Sequence, residues 1–359
     1  MLTVKIPNSI LILVGMLMGH VMNFNEVFVT GSTGLLGNNL VMELLNRGIK
    51  VKALARNTAK AVRQLGEHPN LKIVLGDMED VDSFSSELKG CDVLFHTAAY
   101  FRDSYKGGKH WPKLFKINVQ GTSDLLEAAY GQGIRRVVHV SSIAVIQGIV
   151  DRAVDETSLR TEDDADDYYK SKILSDQEVF KALQRYKDLD ASFILPGWMH
   201  GPGDSGPTSA GQFTIDYLLQ KLPSIPPSTV SFVDARDVAN VMISAAEKGR
   251  RGERYLAAGQ HITMKELVRV YESVTDVKAP SKEVPFTILF ILAAFNELYS
   301  AITGKEVLLS LAAVKNIKAE AGKTRFDHTK SFRELGANFR PIQQTISDEV
   351  EWLRANGKV

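Results

Sequence analysis

The stretch Thr30-Gly31-Ser32-Thr33-Gly34-Leu35-Leu36-Gly37 decides the fold of this chain. It follows the β-rich run EVFVT (26–30) and precedes NNLVMELLNR (38–47), whose apolar residues recur at helical spacing. Glycines between a strand and a helix let the backbone turn tightly and approach a pyrophosphate, which the helix N-terminus binds through free N–H groups. A glycine trio is also found in plain structural turns, but the flanking strand and helix favour a dinucleotide site. The expected contacts are Gly31, Thr33, Gly34, Leu35, Leu36 and Gly37.

Strands and helices alternate beyond this turn. Further strands are predicted at 50–55 (KVKALA), 71–75 (LKIVL), 92–96 (DVLFH) and 136–140 (RVVHV), the last after a helix over 121–130. Strands separated by helices form βαβ units, and right-handed crossovers between them give a doubly wound parallel sheet. The predicted fold class is therefore α/β of the Rossmann type, with a smaller, partly interwoven C-terminal substrate region.

The chain is expected to divide after residue 200. Residues 22–200 are predicted to form the dinucleotide-binding domain, and a loop rich in turn formers (201–211, GPGDSGPTSAG) follows it. Residues 201–359 are mainly a substrate-binding region, from which 229–258 return to the Rossmann core. Residues 1–21 carry an apolar run of about ten residues, too short for a spanning helix. We interpret them as a dispensable extension, disordered or artefactual, with a membrane anchor as the alternative.

The composition of the chain excludes several kinds of partner and site. The net charge is +1, from 43 Lys and Arg against 42 Asp and Glu, and gives no sign of a nucleic-acid partner. The single cysteine, Cys91, excludes an internal disulfide and a thiolate metal site, and it fits a reducing compartment. We therefore expect a cytoplasmic protein with no metal and no membrane partner.

The end of the second strand predicts the choice of cofactor. NAD-binding sites usually carry an acidic residue there, but this chain has ALAR (53–56). Arg56 can pair with a 2′-phosphate that a carboxylate would repel, and Arg63 adds positive charge nearby. NADP is the predicted cofactor, with NAD possible. The alternative is a solvated, basic start of a helix.

Two further strand ends carry candidate cofactor contacts. Asp77, next to Met78, can accept a hydrogen bond from the adenine amino group or cap the following turn. After the fourth strand, small side chains leave room for the ribose and the nicotinamide. These residues are Thr97, Ala98 and Ala99.

The catalytic candidates begin a helix that follows an acidic run (162–167). Tyr168 and Lys172 are four residues apart and project from one helix face. An ammonium beside a phenol lowers the phenol pKa from about 10, which makes tyrosine a usable acid or base. Ser141 and Ser142 end the fifth strand, where a parallel sheet places its ligand contacts. Alone, the Tyr-x-x-x-Lys pattern is usually a solvated helix face.

Together these motifs resemble the extended short-chain dehydrogenases/reductases, which include sugar-nucleotide epimerases, dihydroflavonol reductases and 3β-hydroxysteroid dehydrogenases. The matching segments are TGSTGLLG (30–37), GDM (76–78), HTAA (96–99), NVQGT (118–122), HVSS (139–142), YYKSK (168–172), LPGWMHGPGD (195–204) and FVDARDVA (232–239). The resemblance implies that Ser142 binds the substrate oxygen, Tyr168 donates the proton and Lys172 holds the nicotinamide ribose. It also implies that Asn118 supports a proton relay through water.

Apolar residues suggest where substrate binds. Pro196 and Met199 are expected at the cofactor and Trp198 at the substrate, with Tyr100 and Phe101 opposite. Phe213 and Tyr217 are further pocket candidates, with core packing as the alternative. The apolar stretch 284–295 is too short to span a bilayer and predicts a pocket-lining or interfacial helix.

The family branch is read from two absences. Leu195 precedes Pro196 where epimerases often carry arginine, and no acidic pair follows Ser142. We expect hydride transfer from NADPH to a ketone or aldehyde, or the reverse oxidation of an alcohol. The alternatives are a sugar-nucleotide epimerase or dehydratase, and a dinucleotide-binding regulator without turnover. The resemblance also implies a homodimer formed through two helices whose apolar stripes are Leu125, Leu126 and Ala129, and Ile173 and Val179.

Overall fold

The computed structural model describes residues 23–101, 109–303 and 310–359, so the predicted extension 1–21 lies outside the described residues. Within these ranges the strands are β1 (Glu26–Thr30), β2 (Lys50–Ala55), β3 (Leu71–Leu75), β4 (Val93–His96), β5 (Arg136–Val140), β6 (Asp190–Pro196), β7 (Trp198–His200), β8 (Thr229–Asp234), β9 (Arg254–Ala257) and β10 (Gln260–Thr263). A parallel sheet of seven strands has the order β3-β2-β1-β4-β5-β6-β9. This confirms the predicted doubly wound fold, with the switch in strand order between β1 and β4.

The helices are α1 (Leu35–Asn46), α2 (Thr58–Leu65), α3 (Trp111–Leu114), α4 (Gly121–Gly131), α5 (Asp167–Arg185), α6 (Ser209–Leu218), α7 (Ala235–Lys248), α8 (Met264–Thr275), α9 (Phe286–Thr303), α10 (Leu311–Glu320), α11 (Thr329–Leu335) and α12 (Ile342–Ala355). A π-helical turn, Phe115–Gln120, joins α3 to α4. The loop predicted at 201–211 is wrong at its end, because α6 already begins at Ser209. Thr208 caps this helix by accepting a hydrogen bond from the Gly211 N–H at 3.3 Å.

Helices cover both faces of the large sheet, as a parallel sheet requires. Apolar residues of α1 and α7 bury one face, and those of α4 and α5 bury the other. The stripes on which the dimer was predicted lie inside this second layer. Leu125, Leu126, Ala129 and Val179 are at most 2% exposed, and Ile173 packs against the same core. Four of these five side chains are therefore buried within the protomer, whereas Ile173 is partly exposed, and the homodimer stays a prediction.

A second sheet, of order β10-β8-β7, supports the C-terminal region. Aromatic rings fill its core, with centroids 4.9 Å apart for Tyr217 and Tyr271 and 4.3 Å apart for His200 and Phe232. Tyr217 is 2% exposed, and its hydroxyl donates to the Val277 carbonyl at 2.5 Å. The prediction that Tyr217 lines the substrate pocket is therefore wrong, because its ring is buried in this core and its hydroxyl is hydrogen bonded there.

The apolar stretch 284–295 leads into α9 and forms its N-terminal part from Phe286 onward. Leu289 and Ala293 are buried against Val314 of α10. The opposite side of the helix exposes four large apolar side chains, Ile288, Ile291, Leu292 and Phe295. Across the described ranges, no helix combines the length and apolar character needed to cross a bilayer.

Cys91 lies just before β4 and is 6% exposed. Burial raises the pKa of its thiol to about 12, although the nearby Lys52 ammonium acts in the opposite direction. The thiol is therefore protonated and screened from solvent in the folded protein.

Candidate active site

The glycine turn lies at the switch point between β1 and β4. Gly31 has φ +65°, and a Cβ added there would lie 2.7 Å from the backbone nitrogen of Ala98. A Cβ on Gly37 would lie 2.2 Å from the carbonyl oxygen of Gly31. No side chain caps α1, whose N-cap is Gly34. The turn thus brings a bare backbone and uncapped helical N–H groups to one place, as a pyrophosphate site requires.

The end of β2 presents positive charge to solvent. Arg56, Lys60 and Arg63 are all exposed, and Asn57 caps α2 by accepting from the Lys60 N–H at 2.8 Å. Over the described ranges, neither Arg56 nor Arg63 forms an ion pair. Both guanidinium groups are therefore available to an anionic ligand.

Beyond β3 and β4, short polar contacts fix the loops. Asp77 accepts from the Glu79 N–H at 3.0 Å, whereas the following 3₁₀ turn has Asp80 as its N-cap. Asp77 therefore caps the tight turn 77–80 and is not the N-cap of a helix, and its adenine contact stays a prediction. Thr97 donates its hydroxyl to the Thr30 carbonyl at 2.6 Å, and the Ala98 N–H donates to the Thr30 hydroxyl at 3.2 Å. Met78 is buried beneath this edge, whereas Ala99 is exposed.

The structure brings Ser142, Tyr168 and Lys172 together at the carboxyl end of β5. Asp166 caps α5 by accepting from the Tyr169 N–H at 2.8 Å, which fixes the first helical turn. The Tyr168 hydroxyl is hydrogen bonded to the Ser142 side chain. Lys172 is 3% exposed, and its Nζ donates to the Val140 carbonyl at 2.7 Å.

Burial has the largest effect on the pKa values of Tyr168 and Lys172. It raises the pKa of Tyr168 above its usual value, against the smaller opposing effect of the Ser142 hydrogen bond. It also lowers the pKa of Lys172 to about 8, against the opposing effect of the Asp176 carboxylate. The pKa of Tyr168 is therefore raised, contrary to the expected lowering, because desolvation of the ring has the largest effect on it. At neutral pH the phenol keeps its proton, which is the state of a proton donor.

Asn118 lies in the π-helical turn, a distortion that often marks functional positions. Its amide nitrogen donates to the Tyr100 carbonyl at 3.1 Å and to the Ser171 hydroxyl at 3.0 Å. Its amide oxygen accepts from the Tyr100 N–H at 2.7 Å. In these contacts Asn118 holds the loop after β4 against α5, and its predicted water relay stays a prediction.

The predicted substrate residues separate into two places. The Phe101 ring lies 4.7 Å from the Tyr168 ring, and the Tyr100 hydroxyl contacts His110 Nδ1 at 2.9 Å. Trp198 instead packs against Phe213 at 5.5 Å, on the small sheet, and donates to the Ser209 hydroxyl at 3.3 Å. Phe101 is thus an aromatic neighbour of Tyr168.

Three further predicted cofactor residues lie in strands or directly after one. Pro196 closes β6 and pairs with Ala257, and Met199 lies in β7 of the small sheet and packs against the core that α1 and α7 share. The Ser141 hydroxyl is buried and has no hydrogen-bond partner within the described part of the chain. Because an unpaired buried hydroxyl is unfavourable, this atom suits a polar ligand at the sheet edge.

Sequence reasoning missed a buried polar group beneath Lys172. Asp176 contacts Arg254 at 3.3 Å and His139 at 3.5 Å. His96 contacts the hydroxyls of Thr30 at 2.8 Å and Thr122 at 3.0 Å. The signal for Asp176 was present, because it follows Lys172 by one further helical turn.

Comparisons with known proteins agree with this architecture. Residues 27–258 match the NAD dependent epimerase/dehydratase family. A putative dihydroflavonol 4-reductase of Synechocystis sp. is 31% identical over 344 residues, which cover 92% of this chain and 95% of that protein. Sterol demethylase protein B of Methylococcus capsulatus is 31% identical over 338 residues, covering 92% and 99% of the two chains.

Among solved structures, the crystal structure of gox2253 has a TM-score of 0.78 and 28% sequence identity, covering 93% of this chain and 99% of that one. The glycine turn, the Ser-Tyr-Lys group and these matches lead to one conclusion. The chain belongs to the NAD dependent epimerase/dehydratase family, in its extended short-chain dehydrogenase/reductase branch.

Proposed function

We propose that this protein is an NADP-dependent oxidoreductase that interconverts a carbonyl group and an alcohol. The observation that carries the proposal is the meeting of Ser142, Tyr168 and Lys172 at the carboxyl end of β5. In the reductive direction, a hydride adds to the carbonyl carbon while the Tyr168 hydroxyl gives its proton to the carbonyl oxygen. The Ser142 hydroxyl holds that oxygen, and the Lys172 ammonium stabilises the phenolate left behind.

The residues present fit a dinucleotide, which supplies the hydride when bound. The glycine turn leaves no space for a Cβ and offers uncapped N–H groups to a pyrophosphate. The buried Ser141 hydroxyl lacks a partner within the described residues, at the edge where the nicotinamide half would lie. Exposed Arg56 supports NADP over NAD, because its guanidinium can pair with a 2′-phosphate.

An apolar carbonyl compound is the substrate class that we favour. The Phe101 ring lies tilted by 54° beside the Tyr168 ring, so an aromatic ring borders the proposed proton donor. The two relatives described above are named as a putative dihydroflavonol 4-reductase and a sterol demethylase protein. Dihydroflavonols and sterols are both large ring compounds with much apolar surface.

A screen with both cofactors tests the function. Aldehydes, ketones and sterols are offered with NADPH and NADH, and nucleotide sugars with NAD, while absorbance at the nicotinamide band and product identity are followed. We expect carbonyl-dependent oxidation of NADPH. Interconversion of nucleotide sugars without net cofactor change would show an epimerase instead. Tight cofactor binding with no turnover across the screen would favour a regulator.

A further inference from the structure

Asp176 lies one helical turn beyond Lys172 and is 1% exposed. Its Oδ2 is 3.3 Å from Arg254 Nε, and its Oδ1 is 3.5 Å from His139 Nε2. Arg254 comes from β9 and donates to Oδ2, whereas His139 of β5 only approaches Oδ1, which has no hydrogen-bond partner within the described residues. A buried carboxylate paired with a cation from a distant strand is a costly arrangement, because both ions lose their hydration.

Arg254 is itself held in place. Its guanidinium lies over the Phe180 ring at 4.9 Å and the Phe193 ring at 5.4 Å. Burial lowers the pKa of His139, so at neutral pH the imidazole is uncharged and contributes a polar contact without a charge. Burial also pushes the pKa of Asp176 upward, but His139, Arg254 and Lys172 together hold it below its usual value. Asp176 is therefore ionised at neutral pH.

The titratable groups around Lys172 come from three elements. On α5 these are Tyr168 one turn before and Asp176 one turn after, whereas β4 brings His96 and β5 brings His139. Burial lowers the pKa of His96 well below its usual value, and Tyr168 is protonated. Asp176 is thus the anion of this described group, and it opposes the loss of charge that burial imposes on the ammonium.

We propose that Asp176 is a positioning residue of the active site, whose buried carboxylate, held by Arg254 one helical turn beyond Lys172, provides a fixed negative charge near the lysine at the end of β5. The inference deepens the proposed function and rests on it, because it assigns the ammonium form of Lys172 to the working enzyme. Asp176 acts through Lys172 and does not itself contact the reacting atoms.

The pH profile of kcat/KM for NADPH-dependent reduction tests this proposal. In the wild type we expect activity to fall as the pH rises through about 8, where Lys172 loses its proton. Asp176→Asn removes the anion, which lowers the pKa of Lys172, so the alkaline limb should move down by about one pH unit. Asp176→Glu should restore most of the wild-type profile. Glu178→Gln, on the same helix but paired with Lys181 at 2.7 Å, is the control that should leave the profile in place.

Arg254→Gln gives a second route should Asp176→Asn fold poorly. It leaves the carboxylate but loosens its anchor, and we expect a shift in the same direction of less than one pH unit. An unchanged alkaline limb in both variants, with a merely uniform loss of activity at every pH, would overturn the positioning role.

Failure of the proposed function can be told apart from failure of this inference. The titration of Lys172 is followed by NMR of labelled lysine side chains, with Lys172→Met assigning the signal. A lower pKa of Lys172 in Asp176→Asn than in wild type supports the inference even where the carbonyl screen fails. An equal pKa in both proteins overturns it, whatever the activity.

Discussion

The carboxyl edge of the seven-stranded sheet and the small sheet of the C-terminal region are built differently. At the carboxyl edge, polar groups form individual hydrogen bonds, and a Cβ on Gly37 would come within 2.2 Å of a backbone oxygen. At the second, rings pack at centroid distances such as 4.3 Å for His200 and Phe232. The first region depends on the identity of single residues, whereas the second depends on filled volume and tolerates swaps of similar size.

The largest effect is expected from emptying the aromatic core. Phe232→Ala removes a ring that is 2% exposed, and should lower the free energy of unfolding by about 3–5 kcal/mol. Phe332→Ala is the matched control, because that ring is 48% exposed and its loss should cost far less. Thermal or urea unfolding gives both values. Equal losses in the two variants would remove the contrast between packed volume and surface.

The next largest effect, on turnover, is expected from removing one atom at the carboxyl edge, the Tyr168 hydroxyl oxygen. Tyr168→Phe removes the hydroxyl that bonds Ser142 but keeps the ring, so turnover should fall by roughly 100-fold or more. The affinity for NADPH, measured by fluorescence titration, should hardly change. Tyr169→Phe removes a neighbouring buried hydroxyl bonded to Asn316, and should keep turnover near wild type. Near-full activity in Tyr168→Phe would refute the assignment of the site.

A smaller effect, on cofactor preference, is expected at Arg56, an exposed residue just after β2. Arg56→Asp replaces an exposed cation by an anion, and should shift the preference from NADPH toward NADH by roughly tenfold or more, the scale of one charged hydrogen bond. Arg152→Asp makes the same charge change at another exposed position and should leave the preference alone. Titration of both variants with both reduced cofactors decides the matter. An unaltered preference in Arg56→Asp would contradict the NADP assignment.

Local sequence signals predicted the polar edge well. The strands at 26–30, 50–55, 71–75 and 136–140 have the predicted bounds, because short apolar runs between turn residues leave few alternatives. The spacing of Tyr168 and Lys172 predicted a shared helix face. The contact of Tyr168 with Ser142 then follows from where parallel strands end.

Other features depended on contacts between distant residues. The apolar stripes of α4 and α5 indicate burial but not what covers them, and the large sheet of the same chain does so. Tyr217 has the amphipathic character of a pocket residue, yet a carbonyl at Val277 takes its hydroxyl. The partner of Asp176 lies on β9, at Arg254, a distance along the chain that no local pattern spans. The phenol pKa likewise depends on burial, which the Tyr-x-x-x-Lys spacing does not reveal.

The buried thiol of Cys91, just before β4, can report how often the folded protein opens locally. The thiolate is the form that reacts with alkylating reagents, and burial holds the pKa of Cys91 at about 12. With one cysteine in the chain, every labelled molecule reports an event in which the strand beside the glycine turn became accessible. The rate of alkylation at low denaturant therefore measures how often the dinucleotide half of the sheet opens, without any engineered probe.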